Sequence, residues 1–534
     1  MEMQRQEEIF QAMEKPDFYP HAVQSIEQRE THISKVFLTG VFVYKIKKPV
    51  NLGFLDFTTL ENRRHFCNRE VTLNRRLSTD VYLDVVAVVF RQGRYHLGGS
   101  GRVDEYAVKM RQLPQERSMV HLLRKGKIGA QDIDDLARLL AAFYKEAATG
   151  EHINSYGSWE TVWTNTEENF RQTEPFLGPI LEQRKYQIVR AATRSFLRRW
   201  RELFEHRIKR GKIRDCHGDL RTGHIYFADT IQIIDCIEFN DRFRYGDITS
   251  DLAFLAMDMD CDGYPLEAQR LIEAYARYAK DPNVFVLLDF YKCYRAFVRV
   301  KVNCFRLAET DVGQDERAKL LDETRRYMDL AYRYAVQFSR HTLWVVCGMP
   351  ASGKSTIAAE LGRAMEAKVF RSDVIRKELF GLEPERYADA SFEQGIYSKG
   401  SSSLTYGKLL LLAQDEIEKG CSVVIDATYG SKHRRREVLR LARDTDANLI
   451  FVECVCPDAL LKGRLLEREG TSLVSDARIR HFEQLKARFE PLEELREDMH
   501  IRVDTQMPLD ESLEQILSQD YVLECRQSAE AMKR

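Results

Sequence analysis

The sequence is short of most features that mark a specialised class of protein. It has almost no net charge: 81 lysines and arginines against 82 aspartates and glutamates leave a formal −1 over 534 residues. A chain so balanced does not coat nucleic acid or an anionic membrane through bulk charge. No run approaches the ~18 apolar residues of a membrane span. The opening stretch MEMQRQEEIFQAMEK is charged throughout and lacks the apolar core of a signal peptide. The eleven cysteines are odd in number, scattered, and include no C-x-x-C pair, so neither a disulfide framework nor a clustered zinc site is expected. Only Cys454 and Cys456 stand close, and alternation along a strand accounts for them. There is no internal repeat and no low-complexity tract. These absences predict a reducing compartment, a cytoplasmic address and no membrane partner. What is present is a globular mixture, 44% hydrophobic and 31% charged. The length suggests about three to four domain-sized units.

The chain changes texture along its length. Residues 33–46 and 81–110 are rich in Val, Tyr and Phe with glycine punctuation, which predicts antiparallel strands. Residues 59–78 between them have helical spacing. From about 116 to 212, and again over 250–340, the pattern is mostly helical, with a brief strand at 231–239. A small mixed lobe (about 1–113) followed by a helical lobe (about 114–340) is the expected outline. Near residue 342 strands and helices begin to take turns: LWVVCG, then TIAAELGRAM, SVVIDAT (422–428) and NLIFVECV (448–455). That alternation predicts an α/β domain over 341–534 with a doubly wound parallel sheet.

Gly348-Met349-Pro350-Ala351-Ser352-Gly353-Lys354-Ser355 fits G-x-x-x-x-G-K-[ST] between a predicted strand and helix, the context this motif requires. Its glycines let successive backbone N–H groups curl around one phosphate cluster, and the helix N-terminus adds positive potential. Gly348, Ser352, Gly353, Lys354, Ser355 and Thr356 are therefore the candidate nucleotide contacts, with Lys354 on the β and γ phosphates and Ser355 on Mg²⁺. Asp373, expected at the end of the next strand, could orient or deprotonate a hydroxyl, or cap the following helix; Arg376 shares its rim. Asp426 ends SVVID at a position suited to hold Mg²⁺. Arg464 and Arg468, four apart, would suit a lid over a transferring phosphate or simply a solvated helix face. The basic run Arg434, Arg435 and Arg436 reads either as a surface helix start or as a contact for a phosphate-bearing substrate. Taken together, these segments resemble the P-loop kinases related to polynucleotide kinase, gluconate kinase and zeta toxins, over about residues 342–520. The resemblance implies ATP-dependent phosphorylation of a hydroxyl, with Asp373 at the acceptor and Arg376 helping to bind substrate.

A second constellation lies upstream. His217-Gly218-Asp219-Leu220 is followed sixteen residues after Asp219 by Asp235, at the end of the apolar stretch IQIID, and then by Glu238. A protein-kinase-like enzyme needs one aspartate at the acceptor hydroxyl and another on Mg²⁺, carried by adjacent short strands. With Asp247 and Asp251 in RYGDITSDLAF, the set resembles the aminoglycoside phosphotransferase-like branch of the kinase superfamily, over about residues 30–340. The resemblance implies a bilobal α+β kinase-like fold, with Asp219 as base and Asp235 on the metal. It also implies a phosphate-pairing lysine at Lys45, with Glu70 as its partner. Alternation gives Lys47 the same direction as Lys45, so the choice between them stays open. His217 is expected to serve structurally. Asp247 reads either as a brace for the catalytic loop or as a helix cap. Where the family has a second metal-binding Asn, this chain has His224, a poorer Mg²⁺ partner than an amide oxygen, and Glu238 could substitute.

The order of the two segments matches bacterial fusions of a phosphotransferase with an ATP-binding domain. The expectation is a two-domain phosphotransferase using ATP and Mg²⁺ on a small-molecule hydroxyl. Two alternatives stand beside it: a nucleotide-gated regulatory protein with a degenerate first domain, and a polynucleotide 5′-hydroxyl kinase.

Overall fold

In the computed structural model, residues 2–309, 312–383, 395–467 and 478–532 are described, with side chains between 4 and 523 within those ranges. The chain forms two compact units. The first comprises Met1–Gln183, Arg201–Ala279 and Tyr291–Ala331; the second comprises Arg184–Trp200, Lys280–Phe290 and Tyr332–Arg534.

The first unit opens with a six-stranded antiparallel sheet. Its strands are β1 (Glu27–Glu30), β2 (Ser34–Leu38), β3 (Phe42–Lys47), β4 (Tyr82–Arg91), β5 (Arg94–Leu97) and β6 (Arg102–Arg111), in the spatial order β1-β2-β3-β6-β4-β5. Strand β1 is an edge strand of four exposed polar residues, which no apolar pattern could announce. The pleat then decides what faces what. Tyr44 and Ile46 of β3 point to one face, where Ile9, Phe10 and Met13 of the helix Glu2–Met13 cover them. Lys45 and Lys47 point to the other face, against the helix Leu60–Asn74, whose Cys67 and Val71 pack on Tyr82, Val108 and Met110. Thr59 caps that helix by accepting from the Asn62 amide at 3.1 Å.

Below the sheet the unit is mostly helical, interrupted by two short strand pairs. Strand β7 (Ile213–Asp215) pairs with β10 (Tyr245–Asp247), and β8 (Ile225–Phe227) pairs with β9 (Ile231–Ile233). Strand β9 stops at Ile233, so Asp235 lies just beyond it, on a turn with φ +65°. Asp247 caps the helix Ile248–Cys261 through the Thr249 amide. It also meets the buried Arg207 in a two-pronged pair at 2.7 and 2.8 Å. Capping and bracing thus fall on one carboxylate.

The second unit holds a five-stranded parallel sheet: β11 (Thr342–Cys347), β12 (Lys368–Arg371), β13 (Val423–Asp426), β14 (Asn448–Val455) and β15 (His500–Asp504), in the order β12-β13-β11-β14-β15. Alternate residues of the central strand feed opposite cores. Leu343, Val345 and Cys347 join one cluster, and Trp344 and Val346 join the other. This is the doubly wound arrangement, and its direction of winding reverses at β11. Among the described residues no helix is long and apolar enough to cross a membrane, and the described cysteines are free.

Arg207 and Asp247 side chains are each only 1% exposed, so removing one partner strands a buried charge. Arg207→Ala is expected to cost about 3–5 kcal/mol in urea unfolding of the full chain.

Candidate active sites

In the first unit the side chains singled out from sequence converge. Lys45 Nζ lies 2.9 Å from Glu70 Oε1 and 2.7 Å from Asp235 Oδ1. Lys47, fully buried, donates to Glu70 Oε2 at 2.6 Å and also to Glu238. Both lysines therefore pair with Glu70, but only Lys45 reaches Asp235 and remains partly exposed. This geometry assigns Lys45 to the site and Lys47 to its foundation. Glu238 is correspondingly engaged by Lys47 and buried. Burial pulls both ammonium groups down, but the surrounding carboxylates outweigh it and hold both above the ordinary lysine range. Burial opposes ionisation of Asp235, yet the adjacent Lys45 charge holds it well below the usual carboxylate range.

The loop bearing Asp219 is fixed from beneath. Asp251 accepts from the amides of His217 (2.9 Å) and Gly218 (2.8 Å) and from the Tyr144 hydroxyl (2.9 Å). Gly218 has φ +86°, and a Cβ there would lie 2.8 Å from the Phe243 carbonyl. His217 Nε2 donates to the Ile234 carbonyl at 3.0 Å, and Nδ1 accepts from the Asp219 amide at 3.3 Å. Burial lowers the pKa of this ring, which fits a neutral, structural histidine. His224 lies between the two aspartates, with Nδ1 2.9 Å from the Asp219 carbonyl oxygen and Nε2 3.8 Å from Asp235 Oδ2. Tyr82 and Asn74, which no motif marked, hold the Asp235 turn. The Tyr82 hydroxyl accepts from the Asp235 amide at 3.1 Å, and Asn74 Oδ1 accepts from the Cys236 amide at 2.9 Å.

In the second unit, the segment from Gly348 to Gly353 joins β11 to the helix Lys354–Ala364. Gly348 (φ +133°) approaches β14 so closely that a Cβ would lie 2.5 Å from the Cys454 carbonyl. Ala351 and Gly353 both have positive φ, turning backbone amides inward as an anion nest does. Lys354 Nζ donates to the Met349 carbonyl at 2.7 Å. Ser352 Oγ is buried with no hydrogen-bond partner, a donor set where a phosphate oxygen would accept. Ser355 and Thr356 begin the helix, both exposed. Asp426 pairs in register with Val346 of β11 and Arg371 of β12, and Arg371 Nε lies 3.3 Å from Asp426 Oδ2. The residues fit a nucleotide with its metal.

Several neighbours differ from expectation. Strand β12 ends at Arg371, so Asp373 is the second residue of the helix Ser372–Leu379, whose N-cap is Arg371. It is therefore neither a strand end nor a cap. Arg376 is buried, donating to the Ile396 carbonyl (3.0 Å) and Ser402 Oγ (3.2 Å), which makes it an anchor for that segment. Arg464 reaches the Ala351 carbonyl at 3.2 Å and the Thr505 carbonyl at 3.1 Å, which ties the loop to the residue after β15. Arg468 lies outside the described residues. Arg435 is buried, gripping Glu494 together with the carbonyls of Tyr429, Glu490 and Pro491. Arg434 bonds Glu437 and Ser403. Thr505, just past β15, packs on Gly353 and was silent in the sequence because its role depends on distant partners.

A lysine–carboxylate array over a braced aspartate loop, and a phosphate-binding loop at the reversal point of a parallel sheet, define an enzyme of the kinase class. Residues 124–284 match the phosphotransferase enzyme family, and residues 343–492 match the AAA domain family. An uncharacterized protein of Mycobacterium tuberculosis is 30% identical over 456 residues, covering 85% of this chain and 88% of that protein. The chain belongs to the family of that mycobacterial protein. The L-seryl-tRNA(Sec) kinase of Methanococcus maripaludis is 26% identical over 131 residues, 24% of this chain and 46% of that protein. A solved choline/ethanolamine kinase family protein from Mesorhizobium loti covers 63% of this chain and 98% of its own, at 13% identity and a TM-score of 0.39. The chain comprises a kinase-like domain and a P-loop kinase-like domain, and its chemistry is kinase-type phosphoryl transfer.

Two expectations follow from the geometry. Gly348→Ala should displace the loop and lower nucleotide affinity by tenfold or more, read by titration with a fluorescent ATP analogue. The second concerns pH. Because His217 has a depressed pKa in the fold, the unfolded chain binds more protons below about pH 6.5. Stability should therefore fall as pH drops from 7 to 5, and this fall should be shallower in His217→Asn, measured by thermal melts across that range.

Proposed function

We propose that the chain transfers the γ-phosphoryl group of ATP to the hydroxyl of a small molecule, in a cytoplasmic setting, with phosphotransfer residues in both 1–340 and 341–534. The observation that carries this reading is the cradle of the second unit, the loop after β11 with its inward-turned backbone and the buried, unpartnered Ser352 hydroxyl, beside Asp426 in register on β13; Asp373 begins the helix after β12. There Lys354 and the inward amides would hold the phosphates, Ser355 and Asp426 the metal, and Asp373 the acceptor hydroxyl. Arg376 and Arg464 act through other residues, by positioning. In the first unit Lys45 would engage phosphate, Glu70 would hold Lys45 in place, and Asp219 would take the acceptor proton on its carboxylate. Bound ATP·Mg²⁺ supplies the transferable group and a cation that neutralises phosphate charge.

The nucleic-acid alternative rests on the polynucleotide kinase resemblance and on Arg434 to Arg436. Two of the three are committed to intramolecular partners, which favours a small acceptor. The seryl-tRNA kinase likeness agrees with a hydroxyl acceptor in general.

The test is transfer from γ-labelled ATP by the full chain to a panel of metabolites, nucleosides and 5′-hydroxyl oligonucleotides. Label on a small-molecule hydroxyl is expected, reduced about 100-fold or more by Lys354→Ala or by Asp219→Ala. The variant that loses it identifies the unit responsible for that acceptor. Label confined to oligonucleotides would establish end phosphorylation. Nucleotide binding with no acceptor ever labelled would favour the regulatory reading.

A further inference from the structure

His224 is fixed by its surroundings in one tautomer. Nδ1 lies 2.9 Å from the Asp219 carbonyl oxygen. A carbonyl only accepts, so Nδ1 carries the proton and the neutral ring keeps its lone pair on Nε2. That nitrogen faces Asp235, 3.8 Å from Oδ2, too far for a hydrogen bond. The other oxygen of Asp235 is held by Lys45 at 2.7 Å. An imidazole lone pair and a free carboxylate oxygen thus face each other. Two ligands of one divalent ion, each at about 2.0–2.2 Å, stand about 3–4 Å apart depending on their angle, and 3.8 Å lies in that span.

The support behind both groups is that of a ligand pair. A metal-binding histidine typically donates its second ring N–H to a backbone carbonyl or carboxylate, as His224 does; Asp219 Oδ2 lies 3.6 Å from the same nitrogen. The turn carrying His224 is pinned by Asp258, which accepts from the Thr222 hydroxyl at 2.6 Å and the Thr222 amide at 3.0 Å. Asp235 is set by its φ of +65° and by Tyr82. The charge count points the same way. Lys45 and Lys47 face three carboxylates, Glu70, Asp235 and Glu238, and of the three only the Asp235 side chain is partly exposed, at 45%.

We propose that His224 Nε2 and Asp235 Oδ2 form a mixed nitrogen–oxygen cation site, completed by nucleotide phosphates and water, that prefers a first-row transition ion such as Mn²⁺ to Mg²⁺. This deepens, and rests on, the proposed nucleotide role of the first unit. Among the described residues no group of three or more ligating side chains exists, so the remaining positions fall to the nucleotide. Mg²⁺ demands oxygen ligands, whereas affinity for a nitrogen-containing site rises along the first-row ions from Mn²⁺, the weakest of them, so Mn²⁺ is the most stringent probe of the preference.

The experiment is electron spin-echo envelope modulation of Mn²⁺ bound to the full chain with a non-hydrolysable ATP analogue. The Lys354→Ala chain is used so that the P-loop does not contribute. A nitrogen modulation of imidazole type is expected, absent in the added His224→Asn or His224→Gln change. The preference for Mn²⁺ over Mg²⁺, from competition binding, should fall about tenfold in the same variants. Bound Mn²⁺–nucleotide without nitrogen modulation would overturn the histidine assignment and leave the nucleotide reading intact. Failure of the Lys354→Ala chain to bind Mn²⁺–nucleotide at all would overturn both. Should neither histidine variant fold, the signal of the His224-containing chain decides alone, since presence of the imidazole modulation supports the site and absence refutes it.

Discussion

A lysine ammonium taken wholly out of water is tolerated only where carboxylates and hydrogen bonds replace its hydration. Lys47 meets that condition between Glu70 and Glu238. The arrangement has a consequence beyond its own stability. Because Lys47 occupies one oxygen of Glu70, the other is left to orient Lys45, and because Lys47 also holds Glu238, the segment following Asp235 is tied to the sheet. One buried cation therefore fixes both Lys45 and the segment that carries Asp235. Deleting either partner would leave an uncompensated charge in the interior, which makes the network an all-or-none arrangement in place of a sum of separate pairs.

The second unit solves the same problem with backbone in place of side chains. Its cradle depends on close approaches, Gly348 against the Cys454 carbonyl and Gly353 against Thr505, and on Arg464 joining the Ala351 and Thr505 carbonyls. Lys354 begins the helix after the loop, while Arg464 and Arg435 hold carbonyls of the unit. Amides fixed by a sheet need little reorganisation when charge arrives, which is the electrostatic basis of phosphate binding and of phosphoryl transfer.

Much of this was legible in the sequence. The phosphate loop could be read because its chemistry is local: strand, glycines, lysine and helix occupy consecutive residues. The pair Asp219 and Asp235 could be read for a similar reason, since only a short hairpin separates them. The choice between Lys45 and Lys47 could not be read, because alternation gives both the same face and only the position of Glu238, 191 residues downstream of Lys47, separates their roles. The intramolecular partners of Arg376, Arg434, Arg435 and Arg464 could not be read for the complementary reason. An arginine in sequence advertises its charge, but a guanidinium with five donors can equally well be absorbed by carbonyls, as Arg435 is by three of them. Strand β1, all polar, and Thr505 carried no local signal.

The near-zero net charge takes on a different meaning in this light. Part of that balance is struck inside the fold, with Arg207 on Asp247, Arg63 on Glu105 and Arg435 on Glu494. A phosphate-binding loop works with positioned donors. A phosphate held by positioned donors is held in one orientation, whereas a diffuse basic surface would accept many. That distinction separates an enzyme that transfers a phosphoryl group from a protein that merely collects phosphates.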